Sequence, residues 1–204
     1  MNTFAPPSKG TFARGGDRSR LTVAVLDANV LYPPVLRDLF LWLAVEKAFQ
    51  PKWTQAIHDE WIENLLEDRP ELSRVALLRT RDLMNEHGGD CLVEGYGERI
   101  ETLTLPDADD RHILAAAIAS GATTIVTFNL RDFPATVLQG YGIIALPPDP
   151  FVCSLYAAAP DAVVTAARGM REALKKPPKT RDEYLDGLRR NQLTHFAEIM
   201  ETQL

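Results

Sequence analysis

The sequence predicts an α/β fold in which helices flank a central parallel sheet, followed by an all-helical C-terminal extension. Two observations predict the sheet. Residues 21–27 (LTVAVLD), 123–127 (TTIVT) and 143–146 (IIAL) are short, largely apolar runs, the character of strands buried on both faces. Segments of helical period separate them, and strands alternating with helices imply parallel pairing through right-handed crossovers. A third observation marks the extension: beyond Pro147 only helical patterns remain.

In order along the chain, residues 1–20 are rich in Pro, Gly, Ser and Arg, have little to bury, and read as disordered. The first strand, 21–27, is central. Pro33 and Pro34 then open a helix through about Ala48, since proline suits a first helical turn. Residues 50–53 form a short extended piece. Thr54 caps a second helix reaching about Asp68, with Ile57, Trp61 and Leu65 as its apolar stripe. Glu60 and Asn64 fall beside that stripe, whereas Asp59, Glu63 and Glu67 point outward. A third helix over 71–87 stops at Gly88-Gly89. Residues 91–94 predict a short strand, and 103–105 another extended piece. Asp107 opens the next helix as N-cap, with Asp110 at N3 and Gly121 closing it. In the extension, Asp149 caps a helix over 151–158 and Pro160 opens one ending near Lys176. After the linker PPKT, Thr180 caps a last helix through about Met200. The expected division is a 1–20 segment, a 21–152 domain and a 153–204 helical extension.

The 204 residues are 46% hydrophobic and 25% charged, an ordinary globular composition for one domain with an elaboration. No apolar run approaches the roughly 18 residues needed to cross a bilayer. The first twenty residues lack a secretory signal, so the expected location is the cytoplasm, with no membrane partner. Cys91 and Cys153 make no metal-ligand spacing and read as buried free thiols in a reducing compartment. The net charge of −6 is unevenly spread. Residues 21–150 carry 10 Lys+Arg against 20 Asp+Glu, while residues 168–190 carry eight basic against four acidic. An acidic body with basic flanks is compatible with RNA held from the sides while cations neutralise the centre. Charged helix surfaces alone would give the same pattern.

Four acids stand where the fold brings carboxylates to one sheet edge. Asp27 ends the first strand, and Asp132 lies in the loop TFNLRD after the second buried strand. Asp110 sits in the first turn of the helix before that strand, and Glu60 is on a helix that must pack inward to bury Trp61. Ligands bind outside the carboxyl ends of parallel strands. Each acid singly has a structural explanation: a helix cap for Asp27, a salt bridge for Glu60, a capping box for Asp110, a turn for Asp132. Together they repel one another unless a cation holds them, and hard oxygen ligands favour Mg²⁺ or Mn²⁺. Such a cluster suits metal-assisted phosphodiester hydrolysis, with Asp27 and Asp110 as direct ligands and Glu60 or Asp132 activating water or serving a second ion. Thr127 and Asn129 are candidates to orient a carboxylate or bond a phosphate. Arg37, Arg111 and Arg131 are candidates for flanking phosphates. His58, His87, His112 and His195 have no ligand spacing and mostly read as surface positions, and no nucleotide-cradling glycine motif is present.

The segments LDANVLYPPVLRDLFLWLA, WTQAIHDEWIENL, DADDRHILAAAI and TIVTFNLRDF resemble, in that order, a PIN domain, nearest to the VapC-type toxins of bacterial type II toxin–antitoxin systems. The resemblance covers about residues 21–152. It implies a PIN-like three-layer domain, with Asp27, Glu60, Asp110 and Asp132 as the family's four acids and Asp110 preferred to Asp107 or Asp109 for the third. It further implies a Mg²⁺- or Mn²⁺-dependent endoribonuclease, usually a homodimer, that cuts tRNA or rRNA and inhibits translation. A VapB-type antitoxin would be its partner. The tail of about 50 residues departs from typical members, and dimerisation, antitoxin docking, RNA grip or plain structural packing would each account for it. Three other readings remain at this stage: a non-toxin PIN nuclease in RNA processing, a non-enzymatic RNA-binding module, and a haloacid-dehalogenase-like phosphatase. The last is disfavoured because Asn29 stands where that family has a second aspartate.

Overall fold

Short buried runs and helical segments alternate in the computed structural model as the patterning requires; it describes residues 21–175 and 177–204, and the expected disorder of residues 1–20 lies outside these. The elements are β1 (Val23–Leu26), α1 (Ala28–Leu31), α2 (Pro34–Val45), β2 (Gln50–Lys52), α3 (Gln55–Asp68), α4 (Arg74–His87), α5 (Gly97–Ile100), α6 (Arg111–Ser120) and β3 (Thr124–Val126). They continue with α7 (Ala135–Leu138), β4 (Ile144–Leu146), α8 (Pro148–Ala158), α9 (Pro160–Ala173), α10 (Arg181–Arg190) and α11 (Thr194–Glu201). All pairings between these strands are parallel, in the order β2-β1-β3-β4. β1 is central, and Ala24, Val25 and Leu26 are wholly buried. The chain leaves β1 to one side for β2 and returns to its other side for β3. That reversal opens a crevice at the carboxyl ends of β1 and β3.

Local chemistry explains most boundaries. Thr54 caps α3 by accepting from the Ile57 amide at 3.1 Å, and Gly121 ends α6 with φ 67°. Thr180 and Glu183 form a reciprocal capping box at the start of α10. Elsewhere the structure corrects the sequence reading. Residues 91–94 are not a strand but make one parallel bridge, Trp53 with Leu92, between the left-handed turns at Gly89 and Gly95. Residues 103–105 are irregular, although Leu103 and Leu105 are buried. Helix α6 begins at Arg111, because the Asp107 carboxylate accepts from the Asp109 amide at 2.9 Å and closes a turn there instead. The single last helix is two, broken near Gln192, whose φ is 62°.

The tail shares one continuous buried cluster with the sheet region, running from Ala24 to Met200. Phe151 of α8 meets Phe49 edge-on with centroids 5.4 Å apart, and Phe40 lies 6.1 Å away. Helix α9 lies against α2 so closely that a Cβ at Gly169 would stand 2.5 Å from the Trp42 ring. Asp149 sits in the first turn of α8 rather than before it, and its carboxylate serves α11 instead. It accepts from the backbone amides of His195 at 3.0 Å and Phe196 at 2.9 Å, while the His195 ring nitrogen lies 2.7 Å away. Leu193 at the α11 N-cap has no side-chain oxygen, so the cap comes from 46 residues upstream.

Candidate active site

β1 delivers Asp27 to the crevice, 3% exposed. Its amide donates to the Val126 carbonyl at 3.1 Å, extending the β1–β3 pairing by one residue. Asp27 begins α1 but its side chain makes no cap bond. Instead, its Oδ2 accepts from Thr127 Oγ1 and from Asn29 Nδ2, both at 2.5 Å. The Asn29 amide also donates to Thr127 Oγ1 at 3.1 Å and accepts from the Phe128 amide at 3.1 Å. Burial pushes the Asp27 carboxyl up, against the opposing pull of these donors.

Asp110, at the N-cap of α6, is the other focus. Its Oδ2 is buried with no hydrogen-bond partner among the described residues, and its side chain makes no cap bond, so the capping-box explanation fails. The group is pushed up to about 7, first by desolvation and then by Asp27, Asp107, Asp132 and Glu60. All four of these charged groups are acids. Oxygens of Asp107, Asp110 and Asp132 lie within 4.8 Å of one another. Asn129 Nδ2 donates to Asp132 Oδ2 and holds it toward this group. Glu60, about half exposed, is raised by desolvation, then by Asp27 and Asp109. All four acids singled out in the sequence therefore gather at the crevice.

This arrangement fits a hard divalent cation. An orphaned buried carboxylate oxygen amid other carboxylates lacks only positive charge, and oxygen donors are what Mg²⁺ or Mn²⁺ takes. The tightest oxygen trio nevertheless differs from the pair expected as direct ligands. It takes in Asp107, which the sequence reading had set aside, and leaves out Asp27, one of whose oxygens is already engaged. The run of three acids in DADD carried that signal.

Glu60 is placed by a buried network behind it. Trp61 Nε1 donates to His58 Nδ1 at 3.0 Å, so the other ring nitrogen carries the proton and donates to Asn85 Oδ1 at 3.1 Å. Trp53 Nε1 donates to the same oxygen at 2.7 Å. His58 is thus a fully buried neutral imidazole, pushed down to about 4 by desolvation, and not a surface residue. Arg37 is likewise no phosphate ligand. It is 7% exposed, donates to the Leu31 carbonyl at 2.7 Å, and stacks over the Trp61 ring at 4.5 Å. Arg111 turns its Nε to the Ala108 carbonyl at 2.8 Å, with Glu101 3.8 Å from its guanidinium. Arg131 is exposed beside Asp132 in sequence. One neighbour went unrecognised in the sequence: His112 Nε2 lies 3.8 Å from Glu60, and its Nδ1 is buried without a partner.

Comparison with known proteins finds two family matches in this chain. Residues 23–131 match the family described as PIN domain, and residues 148–202 match one described as VapC50 C-terminal domain. A Mycobacterium tuberculosis protein named "Putative ribonuclease VapC50" is 44% identical over 106 residues, covering 50% of this chain and 60% of that protein. This chain thus aligns with less than two thirds of the relative's length. No solved structure matches. Among the described residues no helix is long and apolar enough to cross a membrane.

Proposed function

Because the chain belongs to the PIN-domain family, we propose that it is an endoribonuclease dependent on Mg²⁺ or Mn²⁺, acting as the toxin of a toxin–antitoxin pair. The observation that carries this reading is the Asp110 oxygen, buried, unpartnered and ringed by Asp27, Asp107, Asp132 and Glu60. Asp110 and Asp132, with Asp107 or Asp27, would hold the ion. When bound, it would supply Lewis acidity and charge neutralisation at a scissile phosphodiester.

The chain's own residues do the rest. Thr127 and Asn29 fix the Asp27 carboxylate, and Asn129 fixes Asp132, so the acids meet RNA already aligned. Glu60 stands at the rim, half exposed and with a raised affinity for protons, suited to take the proton of an attacking water. Arg131, and Arg111 after leaving Glu101, are placed to contact flanking phosphates. The match to a protein named as a ribonuclease supports an RNA substrate; we read that substrate as tRNA or rRNA, with arrest of translation as the outcome. The toxin reading carries with it a VapB-type antitoxin partner, a homodimer and a cytoplasmic location. We assign residues 21–152 to the nuclease and 153–204 to a helical extension packed onto it.

Purified protein should cleave RNA in Mn²⁺ or Mg²⁺. Asp110→Asn and Asp27→Asn should each lower the rate by about 100-fold or more, the scale of losing preorganised charge stabilisation. Equal cleavage by both variants and the parent would place the activity elsewhere. For the toxin assignment, expression without a partner should arrest bacterial growth and Asp27→Ala should relieve it.

A further inference from the structure

A cleft of about 310 Å³ opens off the acidic centre between α1 and α3, lined by Asn29, Tyr32, Glu60, Asn64, Glu67 and Asp68. Four of these lie at positions 60, 64, 67 and 68 of α3. That spacing puts them in one row on a helix face about 12 Å long, at roughly 1.5 Å per residue. The row begins at Glu60, within the acid cluster, and runs away from it. None of the described residues lining the cleft is a cation, so this lining disfavours phosphate and welcomes hydrogen-bond donors.

Its polar groups are unequally committed. The Asn29 amide is spent on Asp27, Thr127 and the Phe128 amide. Tyr32 donates its hydroxyl to Asp68 at 2.7 Å, which anchors the ring against the cleft wall. Asn64 and Glu67 are exposed and make no hydrogen bond or ion pair with the described residues. A flat ring to stack on, a free carboxylate and a free amide are what a splayed single-stranded base needs for recognition. Guanine alone among the RNA bases presents two adjacent N–H donors on its pairing edge, which one carboxylate can accept together.

We propose that this cleft takes the base of the nucleotide next to the scissile phosphate and selects guanine, with Glu67 accepting its pairing-edge donors, Asn64 beside it and Tyr32 stacking. The assignment rests on the nuclease reading for its position along the RNA. The cleft's own chemistry selects the base.

Two measurements separate the assignments. Short 2′-O-methyl oligonucleotides differing at one base, titrated into the protein with Mn²⁺, report the cleft. Cleavage of the matching RNAs reports the nuclease. Guanine at one position should bind about tenfold tighter than adenine, the discrimination of one good bidentate contact. Glu67→Gln and Asn64→Ala, at exposed sites that leave the circular dichroism unchanged, should erase that preference while the other oligonucleotides bind as before. Equal binding of all four bases, or a preference surviving in Glu67→Gln, overturns the proposal. Cleavage without base preference overturns the cleft and leaves the nuclease. Preference without cleavage overturns the nuclease and leaves the cleft. If Glu67→Gln weakens only an arginine-bearing peptide, the cleft serves a protein cation and the guanine assignment is wrong.

Discussion

The sheet edge and the tail each centre on a largely buried aspartate, and the two are treated in opposite ways. Asp149, which ties the start of α8 to the tail, has both oxygens occupied: two backbone amides and a histidine ring meet it, and it closes the start of α11. Asp110 at the sheet edge has a buried oxygen that meets no donor among the described residues, and Asp27, Asp107, Asp132 and Glu60 all push its carboxyl up. Desolvating a carboxylate costs free energy in both places. In the tail, hydrogen bonds offset that cost within the fold. At the sheet edge no hydrogen bond from the described residues offsets it, which is the physical mark of a site completed from outside.

The strongest way to break this contrast is to neutralise each aspartate. Asp110→Asn should cost about 100-fold or more in RNA cleavage while raising the melting temperature of metal-free protein. Asp149→Ala should do the reverse, with unfolding free energy falling by about 2–3 kcal/mol as buried amides lose their acceptor, and cleavage per folded molecule unchanged. Denaturant unfolding beside cleavage assays checks both. If Asp149→Ala abolished cleavage in a fully folded protein, the tail would belong to the site.

The contact between the regions gives a second test. Alanine normally stabilises a helix relative to glycine, yet Gly169→Ala should destabilise by about 1–3 kcal/mol because its methyl would strike Trp42. A gain in stability would mean α9 does not rest on α2 as described. Thr180→Ala, removing half of the α10 capping box, should cost about 1 kcal/mol in the same unfolding assay and leave the acid cluster untouched.

The smallest effect is a pH dependence. With its carboxyl raised to about 7 in the folded chain, Asp110 holds a proton that the unfolded chain has already lost. Stability from this group is therefore present at low pH and lost as pH rises from about 4 to about 7. The melting advantage of Asp110→Asn over the parent should widen across that window and close when Mn²⁺ is added. Comparing variant with parent cancels His58, which works oppositely: its neutral folded form loses stability as pH falls from about 6.5 to about 4. Solvent reaching the partly exposed Asp110 keeps the effect modest.

Much of this was legible in the sequence, for local reasons. The parallel sense of the strands, the Thr54 and Thr180 caps, and the convergence of Asp27, Glu60, Asp110 and Asp132 all follow from short-range patterns. What was not legible depends on partners far along the chain. Arg37 reads as a surface cation until Trp61 and the end of α1 are placed around it. Asp149 reads as a local cap until α11 folds back on it. Gln192 carries no residue-level sign that it will turn left-handed and split a helix. Asp107 was outweighed by its neighbours because three acids in four residues leave the ligand choice to backbone geometry.

Arg37 bears on how the molecule discriminates. It clamps the last carbonyls of α1 while stacking on the Trp61 ring of α3, and those two helices are the jaws of the cleft beside Glu60. A guanidinium wedged between them works like the locked screw of a caliper. The gap offered to an incoming base is set when the chain folds, so guests are judged by fit rather than by accommodation.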